Sequence, residues 1–370
     1  MEILLIQETD WFLKGPGPQH HLCERLASKN GNNLIVFDYD IDKIEKITSK
    51  IIKKKIFKDA YRTIAKSNVK VIRSLCLRIP YVNRISSLIM NFFNIGNYIR
   101  KNRPSIIINL SITNGLIAYF YSRLYHIPFI FHYVDILHEL VPIASIRRFA
   151  RVMARFLLSN SDLIFVLNET HKNFVINEIK NKTSVKILPN GISLENTKVD
   201  SIKLQNLRKK HNIGENDTVL LFMGRLYEFA GLLDIVKFYN KDIMNKKLNL
   251  KFLILGIGEI YSQLKKYIED NGIDWVILTG LVPFNTLANY LELGDLCLQS
   301  FKKNNITKEI TPIKLLEYMA MKKPVLSTKL PGIYKQFGEN NGIIFTYDQS
   351  TMIKKIRELI NRKDYLKQVG

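Results

Sequence analysis

The stretch Val219-Leu220-Leu221-Phe222-Met223-Gly224-Arg225-Leu226, followed across a segment of helical period by Phe252-Leu253-Ile254-Leu255-Gly256-Ile257-Gly258, sets the architecture of this chain. Each is a short apolar run that ends in a glycine-containing loop. An unbroken apolar run reads as a strand buried on both faces, and a helix between two such strands makes them parallel. The same unit recurs toward the C-terminus at Val276–Leu278, Leu296–Leu298, Val325–Ser327 and Ile343–Phe345. Toward the N-terminus it recurs at Ile3–Gln7, Leu34–Asp38, Val69–Ile72, Ile106–Leu110, Phe129–His132, Leu163–Val166 and Val185–Leu188. Turn chemistry at Leu188-Pro189-Asn190-Gly191 separates the two series. The expected class is α/β, with two doubly wound parallel-sheet domains, 1–189 and 190–370, facing a cleft. In such sheets ligands sit at the carboxyl ends of strands, where helix N-termini offer free N–H groups to phosphate.

Length and composition agree: 370 residues suit two cores, and 46% hydrophobic with 24% charged residues excludes collagenous and disordered classes. Lys+Arg 55 against Asp+Glu 33 leaves a net charge of +22, which favours anionic partners. Much of the excess is local, with 16 Lys and Arg between Lys43 and Arg103 against Glu45 and Asp59. Within it, Ile51-Ile52-Lys53-Lys54-Lys55-Ile56-Phe57-Lys58 interleaves bulky apolar residues with lysines, as a helix lying in an anionic membrane interface does. A solvated basic face on an amphipathic helix fits the same pattern. No zinc finger, helix-turn-helix or aromatic RNA-binding motif accompanies the charge, so nucleic acid is not an expected partner.

Cys23, Cys76 and Cys297 are odd in number and far apart, which outlines neither a disulfide framework nor a metal site and suits a reducing cytosol. Met1–Gln7 reads as a strand rather than a signal peptide, because Glu2, Glu8 and Asp10 stand where a basic leader and a cleavage site would be. The 18 uncharged residues from Ser105 to Ser122 include Asn109, Ser111, Thr113, Asn114 and Gly115. They read as a strand, a polar loop and a helix from Leu116 rather than a membrane span.

The densest chemistry lies in Lys308-Glu309-Ile310-Thr311-Pro312-Ile313-Lys314-Leu315-Leu316-Glu317-Tyr318-Met319-Ala320-Met321. Pro312 suits the first turn of a helix and Thr311 its cap; Glu309 then precedes the helix and Glu317 lies more than a turn inside it. A helix head of this kind, with Pro312, Ile313 and Lys314, can hold a phosphate on N–H groups and hydroxyls on the acids. A capped amphipathic helix with solvated glutamates has the same composition.

The E-x7-E pair Glu309 and Glu317, with Lys322-Lys323-Pro324-Val325 and Pro331-Gly332 after it, resembles the hallmark region of retaining glycosyltransferases of family 4, among the glycosyl transferases group 1. Met223-Gly224-Arg225-Leu226, Leu255-Gly256-Ile257-Gly258, Gly280-Leu281-Val282 and Gly294-Asp295-Leu296 before Gln299-Ser300 are similar to that family in order and spacing. Pro189-Asn190-Gly191 resembles its interdomain junction. The resemblance covers nearly the whole chain and implies the GT-B fold, two Rossmann-like domains with the acceptor on the N-terminal one and a nucleotide-sugar on the C-terminal one. It implies that Glu317 accepts hydrogen bonds from the ribose and Glu309 from hydroxyls of the donor sugar. Arg225 would neutralise the diphosphate, and Leu281 and Val282 would offer backbone contacts to the base. Gly15-Pro16-Gly17-Pro18, before a helix beginning near Gln19, resembles the family's glycine loop, with Gly17 close to the donor. His132 occupies the strand end where family members place a histidine near the donor sugar. A turn and a structural histidine are the plain alternatives at these two places.

The implied activity is transfer of a sugar, with retained configuration, to a lipid-linked or polysaccharide acceptor at the cytoplasmic membrane face, without metal or cofactor. Two departures bear on it. The family's second diphosphate cation is missing, since Ala230 stands five residues after Arg225; Lys314 offers a replacement if its side chain does not face solvent. Members also continue past the point matching Gly370. A nucleotide-sugar-binding protein with impaired catalysis is therefore the alternative, and a basic nucleic-acid-binding protein a more distant one. Asp38-Tyr39-Asp40 reads as a polar strand exit rather than a metal-binding D-x-D, adjacent His20-His21 cannot share a helix face for zinc, and Gly256-Ile257-Gly258 lacks the third glycine of a dinucleotide site.

Overall fold

The computed structural model describes residues 1–12, 15–29, 31–39, 51–77, 82–138, 141, 144–179, 183–244, 249–304 and 307–370. Asp40 of the D-x-D match lies outside them. The chain forms two compact units, Met1–Gly191 and Ile192–Gly370.

The first unit runs β1 (Glu2–Ile6), α1 (Pro18–Ala27), β2 (Asn33–Asp38), β3 (Ile51–Ile52), β4 (Lys55–Phe57), β5 (Val69–Arg73), β6 (Cys76–Leu77), α2 (Val82–Asn102), β7 (Ile106–Asn109), α3 (Thr113–Leu124), β8 (Phe129–Tyr133), α4 (Ala144–Asn160), β9 (Leu163–Val166), α5 (Glu169–Glu178) and β10 (Ser184–Ile187). Its main sheet has the order β10-β9-β8-β7-β1-β2-β5-β4, parallel except for β4, so the winding reverses between β1 and β7. Alternation along β1 divides the core. Ile3 and Leu5 face Cys23 and Ala27 of α1, while Leu4 and Ile6 belong with Ile95 and Ile99 of α2, Ala118 of α3 and Leu157 of α4.

Lys53–Lys58 is not helical. Lys55–Phe57 pairs antiparallel with β5 at the sheet edge, and Ile51–Ile52 pairs with β6. A lone apolar-basic octapeptide nucleates a helix poorly, whereas an open strand edge satisfies its backbone at once. The exposed lysines then act as edge guards that disfavour pairing with other chains.

Helix α3 starts three residues before Leu116. Its first turn is held by Glu8, whose carboxylate accepts hydrogen bonds from the Thr113 hydroxyl and from the Asn114 N–H at 2.8 Å. Among the described residues no helix is long and apolar enough to cross a membrane.

The second unit runs α6 (Ser201–Lys210), β11 (Thr218–Met223), α7 (Leu232–Met244), β12 (Leu250–Leu255), α8 (Tyr261–Asp270), β13 (Val276–Gly280), α9 (Leu287–Leu293), β14 (Leu296–Gln299), α10 (Ile313–Ala320), β15 (Val325–Thr328), α11 (Pro331–Phe337), β16 (Ile343–Thr346), α12 (Gln349–Leu359) and α13 (Lys363–Val369). The six parallel strands have the order β13-β12-β11-β14-β15-β16. All six residues of β11 are buried, as a central strand covered by helices on both faces requires. Both units are therefore parallel-sheet α/β folds, in agreement with the sequence reading.

Candidate active site

In the second unit the winding reverses between β11 and β14, and a crevice at such a reversal is where open parallel sheets receive ligands. Arg225 leaves β11 on one side of it, Gln299 ends β14 on the other with α10 after it, and Leu281 and Val282 follow β13 at the same edge. Glycines allow the loops to press together. Gly224 and Gly256 have φ of +132° and +131°, and a Cβ on Gly256 would lie 2.0 Å from the Gly224 carbonyl oxygen. A Cβ on Gly258 would lie 2.5 Å from the Leu226 backbone. Close loop packing thus accounts for both glycines of Gly256-Ile257-Gly258.

Arg225 is exposed, its guanidinium 5.6 Å from the Tyr227 ring, and no carboxylate among the described residues pairs with it. Lys314 does not face solvent. Its Nζ lies 4.0 Å from the Phe222 ring centre, 4.4 Å from that of Phe301, and 3.8 Å from where a side chain on Gly224 would begin. Two aromatic faces favour an ammonium there, but burial lowers its pKa to about 7, against the opposing pull of Glu317. Glu317, one turn along α10, is raised to about 7 by burial, with Lys314 acting the other way. Ala230 is fully buried; its carbonyl accepts from Ser300 Oγ at 2.6 Å and Gln349 Nε2 at 3.1 Å.

The head of α10 differs from the expected one. Pro312 is the N-cap, with ψ +133°, and no side chain caps the helix, so Ile313 and Lys314 form its first turn. The Pro312 carbonyl accepts from the Leu315 N–H at 3.1 Å. Thr311 is buried and does not cap, because the extended Pro312 sets the helix start one residue late. Glu309 is half-buried before the helix, its Oε2 3.8 Å from Lys335 Nζ. Leu281 is exposed and Val282 half-buried beyond Gly280, which has φ +69°.

In the first unit Gly17 is the N-cap of α1, and its N–H donates to His20 Nδ1 at 3.0 Å. His20 Nε2 therefore carries the proton and donates to the Trp11 carbonyl at 3.1 Å. Burial lowers the His20 pKa to about 3, so this clamp stays neutral. The Gly17 N–H is engaged within its own helix, and the close approach implied for Gly17 cannot use that group. His132 is buried one residue before the end of β8, which closes with the fully buried Tyr133, and both its ring nitrogens are unbonded among the described residues; burial alone lowers its pKa to about 4. Asp38 is a structural anion: its carboxylate accepts from Arg73 Nε and from the Trp11 N–H, each at 3.0 Å, and Arg73 also reaches Asp10 at 2.9 Å.

Comparison with known proteins identifies the family of the second unit. Residues 204–370 match the sequence profile of the family described as Glycosyl transferases group 1. These residues form a group 1 glycosyltransferase domain. The chain is 29% identical over 159 residues to a lipopolysaccharide 1,2-N-acetylglucosaminetransferase of Salmonella typhimurium, covering 40% of each chain. It is 26% identical over 223 residues to an alpha-monoglucosyldiacylglycerol synthase of Streptococcus pneumoniae, covering 58% of this chain and 49% of that one. The matched region thus spans about half or less of these relatives. Among solved structures, Anabaena HepE in complex with UDP superposes with a TM-score of 0.68 at 13% identity, over 100% of this chain and 92% of that one. Both α/β units therefore have the GT-B glycosyltransferase fold.

Three residues of the group 1 domain gain a role only in three dimensions. Gln299, read as part of a spacing pattern, is fully buried at the end of β14 with neither side-chain amide atom bonded among the described residues. The Tyr318 hydroxyl oxygen accepts from the Met223 N–H at 2.8 Å and ties α10 to the end of β11. Gly332 admits the peptide that carries Glu309: its N–H donates to the Lys308 carbonyl at 2.8 Å, and a Cβ there would lie 2.5 Å from the Glu309 carbonyl carbon.

Proposed function

We propose that this chain transfers a sugar from a nucleotide-sugar to a lipid-linked or glycan acceptor at a membrane surface, with the anomeric configuration retained. The observation that carries the reading is the buried Lys314, which interacts with Glu317 and whose Nζ lies 3.8 Å from where a side chain on Gly224 would begin, beside the loop that carries Arg225. Arg225 and Lys314 hold the diphosphate, Lys314 supplying the cation that Ala230 does not. Glu317 accepts from the ribose hydroxyls and Glu309 from the sugar, with Leu281 and Val282 along the base and the N–H groups of Ile313 and Lys314, released by Pro312, toward phosphate.

As the sugar leaves, charge grows on the diphosphate, and preplaced cations stabilise that charge more than they stabilise the ground state. The departing phosphate takes the acceptor proton, so neither glutamate acts as an acid or base. Neutral His132 serves as a hydrogen-bonding group toward the sugar, and Gly17 keeps its loop free of side chain. The names of the two relatives, a lipopolysaccharide 1,2-N-acetylglucosaminetransferase and an alpha-monoglucosyldiacylglycerol synthase, support a lipid-linked or glycan acceptor.

Calorimetric titration of UDP, GDP, ADP and CMP and their sugar conjugates into wild type and Glu317→Ala tests the reading. One nucleotide should bind selectively and be lost in the variant, and its sugar conjugate should turn over when a glycolipid extract is added. Binding without turnover would instead favour the impaired protein that Ala230 suggests. No binding would refute the donor site.

A further inference from the structure

Helices α2, α3 and α4 form one layer on the same face of the first sheet, α2 against α3 and α3 against α4. Their outward side is apolar. Ile89 and Phe93 of α2, Phe120 of α3 and Phe149, Val152 and Phe156 of α4 are all exposed, Phe93 by 63% and Phe149 by 65%. The spacings of four within α2, and of three and four along α4, place them in stripes on faces where a surface helix is ordinarily polar. The stripes are joined by ring contacts, Phe92 to Phe120 at 6.2 Å and Tyr119 to Phe156 at 5.3 Å, so the patch is continuous across three helices. A patch of that extent marks an interaction surface.

Its charge selects the partner. The three helices hold eight Lys and Arg and no Asp or Glu. Glu178 binds Arg151 and Arg155, and Asp162 binds Arg123, whereas Arg84 and Arg148 are exposed. Lys54 Nζ donates to Asn94 Oδ1 of α2 at 3.0 Å, which sets the exposed lysines of 53–58 at the margin of the same face.

We propose that this face docks on an anionic phospholipid surface. The aromatic and aliphatic side chains enter the headgroup–acyl boundary, and Arg84, Arg148 and Lys53, Lys54, Lys55 and Lys58 reach lipid phosphates. A second copy fits less well, since a two-fold contact would set the exposed positive charge of Arg84, Arg148 and the lysines of 53–58 against itself. The proposal rests on the membrane half of the proposed function and is independent of its donor half.

Co-sedimentation with phosphatidylcholine vesicles, with and without about one third phosphatidylglycerol, tests it. Wild type should bind the anionic vesicles and release as salt is raised. The triple variant Phe93→Ser, Phe149→Ser, Val152→Ser should bind at least ~tenfold more weakly, and Arg84→Gln with Arg148→Gln about fivefold more weakly per arginine. Unchanged melting temperatures would show that both variants fold. Glu317→Gln should bind vesicles like wild type, which separates failure here from failure of the donor site. Wild type that ignores anionic vesicles, or a triple variant that binds as wild type does, would overturn the proposal. So would a concentration-dependent dimer in the ultracentrifuge that the triple variant abolishes, which would assign the face to a second copy.

Discussion

Nucleotide-sugar binding should move protons in a direction that reverses near pH 7. Lys314 and Glu317 both titrate at about 7 in the empty site, because burial disfavours each charge. A bound diphosphate requires Lys314 as ammonium, and bound ribose hydroxyls favour Glu317 as carboxylate. At pH 8 the empty site lacks about 0.9 proton on Lys314 and holds about 0.1 on Glu317, so binding takes up about 0.8 proton. At pH 6 the two fractions exchange and binding releases about 0.8. The pair is coupled, so the crossing belongs to both groups together. Lys314→Met should abolish the uptake; with the opposing ammonium gone the Glu317 pKa rises further, and release extends above pH 7. Glu317→Gln should leave uptake alone. Affinity at pH 6 should fall about 10- to 150-fold in Lys314→Met, the equivalent of one charge-assisted hydrogen bond of about 1.5–3 kcal/mol. Titration calorimetry in two buffers of different ionisation enthalpy reads the proton count directly. Heats that do not depend on the buffer at pH 6 or 8, or a count unchanged in Lys314→Met, would refute the assignment of Lys314 to the diphosphate.

Arg225→Lys should reduce kcat/KM for the nucleotide-sugar by about 100-fold, since an ammonium lacks the planar fork that matches two phosphate oxygens; a steady-state assay checks this. Gln299→Leu should raise the stability of the unliganded protein by about 1 kcal/mol in a urea titration, through loss of an unbonded buried amide, while weakening donor binding. Gly256→Ala should destabilise by more than about 2 kcal/mol, because its Cβ would meet the Gly224 carbonyl 2.0 Å away, and the same titration measures it. His132 is held neutral with its pKa lowered to about 4, so the unfolded chain binds the extra proton first and stability falls as pH drops from about 6.5 to 4. His132→Leu should flatten that slope by roughly one proton in melts across the range.

The two α/β units were legible from apolar runs because a buried parallel strand has no polar face to hide. The E-x7-E helix and its flanking glycines were equally visible, since side-chain type and spacing carry that signal. The chain at 51–58 carries a helix-like pattern yet pairs as strand, because its partner, β5, lies more than ten residues away and backbone pairing outweighs the weak local preference. Helix α3 starts earlier than its own residues indicate for the same reason, its first turn being held by Glu8.

Two parallel sheets, a helix carrying the E-x7-E pair and an excess of positive charge are properties of local composition and can be read from the chain directly. The state of individual groups follows from packing. The sequence left Lys314 between solvent and site, and the rings of Phe222 and Phe301 enclose it. Gly17 looked open to substrate, and His20 takes its N–H. The apolar stripes of α2, α3 and α4 become a single surface only when the sheet sets the three helices side by side. Burial, charge and hydrogen-bond partners come from residues far apart in the chain, so packing alone can assign them.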